Sequence, residues 1–232
     1  GEDIPLQRLV CDVVELPVVL ENDSNAAAWG EYRFGAGTGA RNMVLLTVGT
    51  GVGAGIIIGG QLYRGSFGKA AELGHTMAVR DGELCGCGAR GCLDRYASGT
   101  ALERYAREAA AADPAGGARL LELAGGDLTA LNGVHVQQAA TEGNAAACAA
   151  FTELGYWLGI GFADVVFSLD PELIVVGGGV SESGELLFTP AIAAYRSVTA
   201  QRNRTAPYAR IALATLGNKA GLVGVADLAA IR

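Results

Sequence analysis

The stretch Met43-Val44-Leu45-Leu46-Thr47-Val48-Gly49-Thr50-Gly51-Val52-Gly53-Ala54-Gly55-Ile56-Ile57-Ile58-Gly59-Gly60-Gln61-Leu62-Tyr63-Arg64 reads as three strands folded on glycines. Asn42 to Val48 is an apolar run of strand length, Ile56 to Ile58 a second, and Gln61 to Arg64 a strand returning across a Gly59-Gly60 hairpin turn. The glycine-rich bend from Gly49 to Gly55 would let backbone amides approach a phosphate closely; a plain tight turn between strands fits the same residues. It is not a Walker loop, because no Gly-Lys-Ser/Thr follows.

Strand and helix signals alternate on either side. Leu6 to Leu16 has helical spacing, and Val18-Val19-Leu20 reads as a short strand delivering Glu21-Asn22-Asp23. Ser24 is placed to cap an alanine-rich helix from Asn25 to Phe34. Ala97 to Ala112 is amphipathic with Ser98 as its cap, two short helical pieces follow a turn at Asp113 to Gly117, and Gly143 to Leu169 reads as a long, mostly buried helix. Leu173 to Val176 is a buried strand stopping on Gly177-Gly178-Gly179 before a helix that starts near Glu185, a geometry suited to a nucleoside or phosphate. Ile211 to Leu216 is a last strand and Ala220 to Ile231 a last helix. The class is α/β.

Three of five cysteines, Cys85, Cys87 and Cys92, crowd together downstream of Glu72-Leu73-Gly74-His75 and just before Asp94. One His and three Cys make a closed tetrahedral ligand set for zinc, which would hold a loop and fix the carboxylates of Glu72 and Asp94 beside it. A disulfide or chance clustering competes, and C-x-C-x4-C is not the common finger spacing; the odd cysteine total weighs against a disulfide. Cys11 and Cys148 sit in apolar stretches and read as small buried hydrophobes.

The chain of 232 residues is ample for a large core. Its net charge of −7 gives no basic footprint for nucleic acid. On sequence, no apolar run reaches the length needed to span a bilayer and no signal peptide heads the chain, so a cytoplasmic setting is expected. Gly1-Glu2-Asp3-Ile4-Pro5 carries no initiator Met, as in a fragment.

Taken together, Glu21-Asn22-Asp23, Thr47 to Gly53, Glu72-x-Gly74-His75, the Cys85/Cys87/Cys92 group and Val175 to Gly179 resemble the ROK family of sugar kinases and sugar-responsive repressors, in the family's order. Asn25 to Glu31 and Arg95 to Gly99 are most similar to the family's glucokinases. The resemblance implies an actin-like ATPase fold (ribonuclease-H-like, hexokinase-type), mainly its C-terminal lobe, with a family phosphate loop, Asp-x-Gly-Gly-Thr, unmatched here. It implies residues 1–23 as the end of an N-terminal lobe, 24–216 as the ATPase lobe, and 217–232 as a helix packing back.

The activity implied is ATP-dependent phosphorylation of glucose to glucose 6-phosphate. Asp23 would be the general base; Asn22, Glu72, His75 and Asp94 would bind sugar. Thr50, Gly51, Val52, Gly53, Ala54 and Gly55 would hold the phosphates of ATP with Mg²⁺, and Gly177, Gly178 and Gly179 would admit its adenosine. His75, Cys85, Cys87 and Cys92 would hold a structural zinc, ordering the sugar side and leaving nucleotide chemistry untouched. Asp94 departs from the family's Glu and is one methylene shorter. The resemblance also implies a homodimer. A repressor's sugar-sensing domain, a kinase for fructose, mannose or N-acetylmannosamine, and polyphosphate as donor are the alternatives.

Overall fold

Strand β1 (Met43–Val48) is buried on both faces, and its alternate side chains enter two different cores. Val44, Leu46 and Val48 join the larger cluster, Met43 and Leu45 the smaller. Strand β4 (Leu173–Gly177) divides in the same way, with Ile174 and Val176 on one side and Leu173 and Val175 on the other. Strands covered on both faces read as unbroken apolar runs, which is why these two were visible in the sequence. The computed structural model describes residues 4–202 and 208–230, so Gly1 to Asp3 and the expected helix end at Ile231 lie outside the described residues.

With β2 (Val52–Ile58), β3 (Gln61–Leu62) and β5 (Arg210–Leu213), these strands form one sheet in the order β3-β2-β1-β4-β5. β2 runs antiparallel to β1 and β3, while β4 lies parallel to both β1 and β5. That order and those directions are the ribonuclease-H-like arrangement of an actin-like ATPase lobe. Gly59 and Gly60 both take positive φ in the β2–β3 hairpin, as a two-residue turn requires.

The helices are α1 (Leu6–Val14), α2 (Asp23–Phe34), α3 (Asp94–Ala97), α4 (Gly99–Ala112), α5 (Ala118–Leu123), α6 (Gly133–Thr141), α7 (Ala145–Leu169), α8 (Glu185–Gln201) and α9 (Ala220–Ala230). α2 and α9 cover one face of the sheet, crossing closely where Gly30 meets Ala220 and Gly224 meets Ala26. α7, α8 and α4 cover the other, with Phe151, Leu154, Leu158 and Phe162 of α7 fully buried. α7 is long and apolar enough to cross a membrane by length and composition, which corrects the sequence expectation. Its apolar residues are spent on the core: Gly155 and Gly159 seat it against Pro190 and Ala191 of α8.

Several local expectations are corrected by hydrogen bonding. Val18 to Leu20 pairs with no strand among the described residues, and Val19 and Leu20 are exposed. The cap of α2 is Asn22 rather than Ser24: Asn22 Oδ1 accepts from Asn25 N at 3.0 Å, so Asp23 opens the helix. β2 begins at Val52, four residues before the expected start, because Val52 to Gly55 already pair with β1. β5 ends at Leu213 because the amides of Thr215 and Leu216 donate to Glu31 instead of a ladder. Ser98 caps α4 as expected.

Candidate active site and metal cluster

At the carboxyl end of β1 the chain turns through Gly49-Thr50-Gly51 and leaves along β2, and the N-terminus of α2 lies beside this turn. A cavity of about 360 Å³ opens there. Asn22, Asp23, Thr47, Thr50, Glu72, Asp94 and Gly178 line it, together with Gly51, Val52, Gly53 and Ala54. The structure thus gathers the candidate base, three of the candidate sugar ligands and most of the candidate phosphate-binding residues. Gly55 and His75 are not on its wall.

Two glycines of the run serve packing. A Cβ on Gly53 would strike Ser24 Oγ, and one on Gly55 would come within 2.5 Å of Ala28 Cβ, so both let α2 lie flat on β2. Asp23 Oδ1 accepts from Ser24 N at 2.8 Å, and its side chain is open to the cavity and solvent. Asn22 uses its carbonyl oxygen in the cap, which leaves Nδ2 as its donor. Asp94 Oδ1 accepts from Val52 N at 2.8 Å.

A second cavity, about 530 Å³, lies on the far side of the turn and shares Gly49 and Thr50 with the first. Gly99, Thr100, Leu102 and Glu103 of α4, Asn132 to Val134 and Gln137 around α6, and Gly179, Val180 and Glu182 line it. Among the described residues no Lys or Arg lines either cavity. Gly178, at φ +88° and where a Cβ would strike the Val48 backbone, lines the first cavity and Gly179 the second. Gly177 lines neither; it closes the β4 end.

His75, Cys85, Cys87 and Cys92 converge with their ligand atoms all within 4.8 Å of one another. Cys85 Sγ stands 3.6 Å from His75 Nδ1, and Cys87 Sγ 3.6 Å from Cys92 Sγ. A tetrahedral zinc site with ordinary bond lengths has S···S edges of about 3.8 Å and S···N edges of about 3.5 Å, so these residues fit the ion. All five cysteines are free thiols. Burial pushes the Cys92 thiol up to about 12, while hydrogen bonding from Ala89 and the neighbouring thiols holds Cys87 below the usual range. The loop is folded by its own backbone: Cys85 N donates to Ala89 O, Gly88 and Gly91 take positive φ, and Glu83 N donates to the Tyr96 hydroxyl. Cys11 and Cys148 are remote, half-buried, and donate to the Leu16 and Ala140 carbonyls.

Sequence reasoning missed the lock behind Asn22 and Asp23. Glu21, with its side chain 8% exposed, meets Arg64 Nη2 at 2.6 Å and Nε at 2.7 Å, and its other oxygen accepts from Asn25 Nδ2 at 3.1 Å. It also missed the α4 and α6 residues of the second cavity; Ser98 was legible as a cap, and the residues after a cap are where helix amides open.

The profile of the ROK family matches residues 1–231. Over 225 residues the chain is 50% identical to a glucokinase of Streptomyces coelicolor, covering 97% of this chain and 71% of that protein. The crystal structure of a ROK family glucokinase from Streptomyces griseus in complex with glucose and AMPPNP superposes with a TM-score of 0.88 at 50% identity, over 97% of this chain and 72% of that one. A ROK hexokinase from Thermus thermophilus superposes with a TM-score of 0.82 at 33% identity, over 99% and 73%. Motif order, sheet topology and the cysteine–histidine cluster agree with these matches: the chain belongs to the ROK family.

Proposed function

We propose that this chain is the catalytic lobe of a sugar kinase that transfers the γ-phosphoryl group of ATP to glucose. The observation that carries the reading is the pair of cavities joined over Gly49 and Thr50, one lined by hydroxyl-binding and acidic side chains, the other by helix ends and glycines. Sugar occupies the first, with Asn22 Nδ2 donating and Glu72 accepting from its hydroxyls. Adenosine occupies the second, and the triphosphate crosses the turn between them.

Asp23 accepts the proton of the primary hydroxyl as its oxygen attacks the γ-phosphorus, and ADP leaves on the far side of the turn. Its place at the first turn of α2, in the cavity wall beside Glu72, supports this role. Among the described residues no Lys or Arg lines either cavity, so neutralisation of the phosphate charge would be supplied by Mg²⁺ bound to the nucleotide. The amides and the hydroxyl of the Thr50 turn orient the phosphates, since Val52 N is held by Asp94 and Gly53 and Ala54 are paired with β1.

His75, Cys85, Cys87 and Cys92 would hold a zinc whose four protein ligands leave no open position, so its contribution is to stiffen the loop. His75 Nδ1 faces the Cys85 sulfur and the ring stands off the wall of the first cavity, so His75 acts through the loop and not as a sugar ligand. We assign residues 24–216 to the ATPase lobe, 1–23 to the end of the partner lobe and 217–232 to a returning helix. The exposed Leu6, Leu9 and Val13 of α1 and Leu222 of α9 support this division, since their apolar faces find no cover among the described residues.

A coupled assay over glucose, fructose, mannose and N-acetylmannosamine, with ATP and with polyphosphate, tests the reading. Glucose with ATP should give the largest kcat/KM. Absence of sugar-dependent ADP release from the protein would refute it.

A further inference from the structure

The turn between β1 and β2 is tied at three points to the chain that leaves Cys92. Asp94 Oδ1 accepts from Val52 N at 2.8 Å, Gly99 N donates to Gly49 O at 2.7 Å, and Thr100 Oγ1 donates to Thr50 O at 2.8 Å. The approach is close: a Cβ on Gly51 would stand 2.6 Å from Asp94 Oδ1. On its other side the Val52 carbonyl abuts Gly74, where any Cβ would collide with it. Val52 is therefore gripped between Gly74, next to His75, and Asp94, two residues after Cys92. Both arms of the metal loop bear on the first residue of the strand that leaves the turn.

We propose that Asp94 is a positioning residue of the phosphate-donor side: its carboxylate holds the Thr50 turn in register with the cysteine corner, rather than serving chiefly as a sugar ligand. This rests on the kinase reading above. The short aspartate side chain spends an oxygen on a backbone amide inside the site, which aims the remaining amides of the turn. The cysteine corner then supports the nucleotide side as well as the sugar side.

The test measures binding of a non-hydrolysable ATP analogue and of glucose, separately, by calorimetry on the full chain. Asp94→Ala should weaken the nucleotide by about tenfold or more, the loss of one charge-assisted hydrogen bond, and leave glucose within about threefold. Asp94→Asn keeps an oxygen for Val52 N and should stay within about threefold on both. Gly51→Ala should push the carboxylate off the amide and reproduce the nucleotide loss, while the double variant D94A/G51A should be no worse than D94A, because the shared contact is already gone. If Asp94→Ala does not fold, Asp94→Asn and Gly51→Ala carry the test: a D94N protein that loses the nucleotide, or a G51A protein that binds it normally, overturns the proposal. So does an Asp94→Ala protein that loses glucose and keeps the nucleotide, or losses that multiply in the double variant. A parent protein that binds neither ligand would instead overturn the kinase reading, and this proposal with it.

Discussion

Replacing Glu31 with Gln should unfold this protein at a clearly lower temperature, although the residue touches neither cavity. Glu31 is fully buried in α2. Its carboxylate accepts from Ala36 N at 2.8 Å, Thr215 N at 3.0 Å and Leu216 N at 2.7 Å, with the Thr215 hydroxyl 3.3 Å away. It therefore closes the turn after α2 and anchors the link from β5 to α9. Gln keeps one acceptor oxygen but presents an NH₂ group to amides that also donate. At least one buried N–H is then left without a partner, costing about 2–3 kcal/mol. For a chain of this size each kcal/mol moves Tm by roughly 2–4 °C, so the shift should be about 5–10 °C. Glu31→Ala should cost more, because all three amides are orphaned. Thermal unfolding followed by circular dichroism reads the effect directly. An E31Q protein that melts within about 1 °C of the parent would refute the claim that this carboxylate bears the α2–α9 layer.

Arg64→Met removes the partner of the nearly buried Glu21 and frees the segment that presents Asn22 and Asp23. The glucose KM should rise and kcat/KM fall by about tenfold, with a stability loss of about 1.5–3 kcal/mol; unchanged steady-state constants would show that the ion pair is not positioning that segment. Elemental analysis should find about one zinc per chain, and Cys92→Ser, which opens the closed ligand set, should lower zinc content and Tm together. A metal-free protein with unaltered Tm and glucose affinity would contradict the clamp.

The parts of this fold that could be read from the sequence are those set by local pattern. β1 and β4 announced themselves as apolar runs because both faces are buried, and Ser98 was recognisable because a cap acts within three residues. The cysteine cluster was legible because its ligands lie close in the chain. What escaped depends on contacts across long separations. Asn22, Asp23 and Ser24 are all acceptable caps, and only the entry of the chain into α2 selects Asn22. The glycines at 53 and 55 looked like phosphate-binding residues, yet their small size is also demanded by α2 lying against β2. β5 looked longer because nothing in Thr215 and Leu216 reveals that a carboxylate 184 and 185 residues away takes their amides. Asn132 and Gln137 reach the second cavity only through the packing of α6 on α4.

Phosphoryl transfer in this site depends on Asp23 taking the proton of the acceptor alcohol, and Asp23→Asn in the full chain, assayed for both turnover and glucose binding, tests that role most directly. The amide keeps the shape and cannot accept the proton, so kcat should fall by about 10²-fold or more while the glucose Kd stays within about threefold. A variant that turns over at the parent's rate would contradict it.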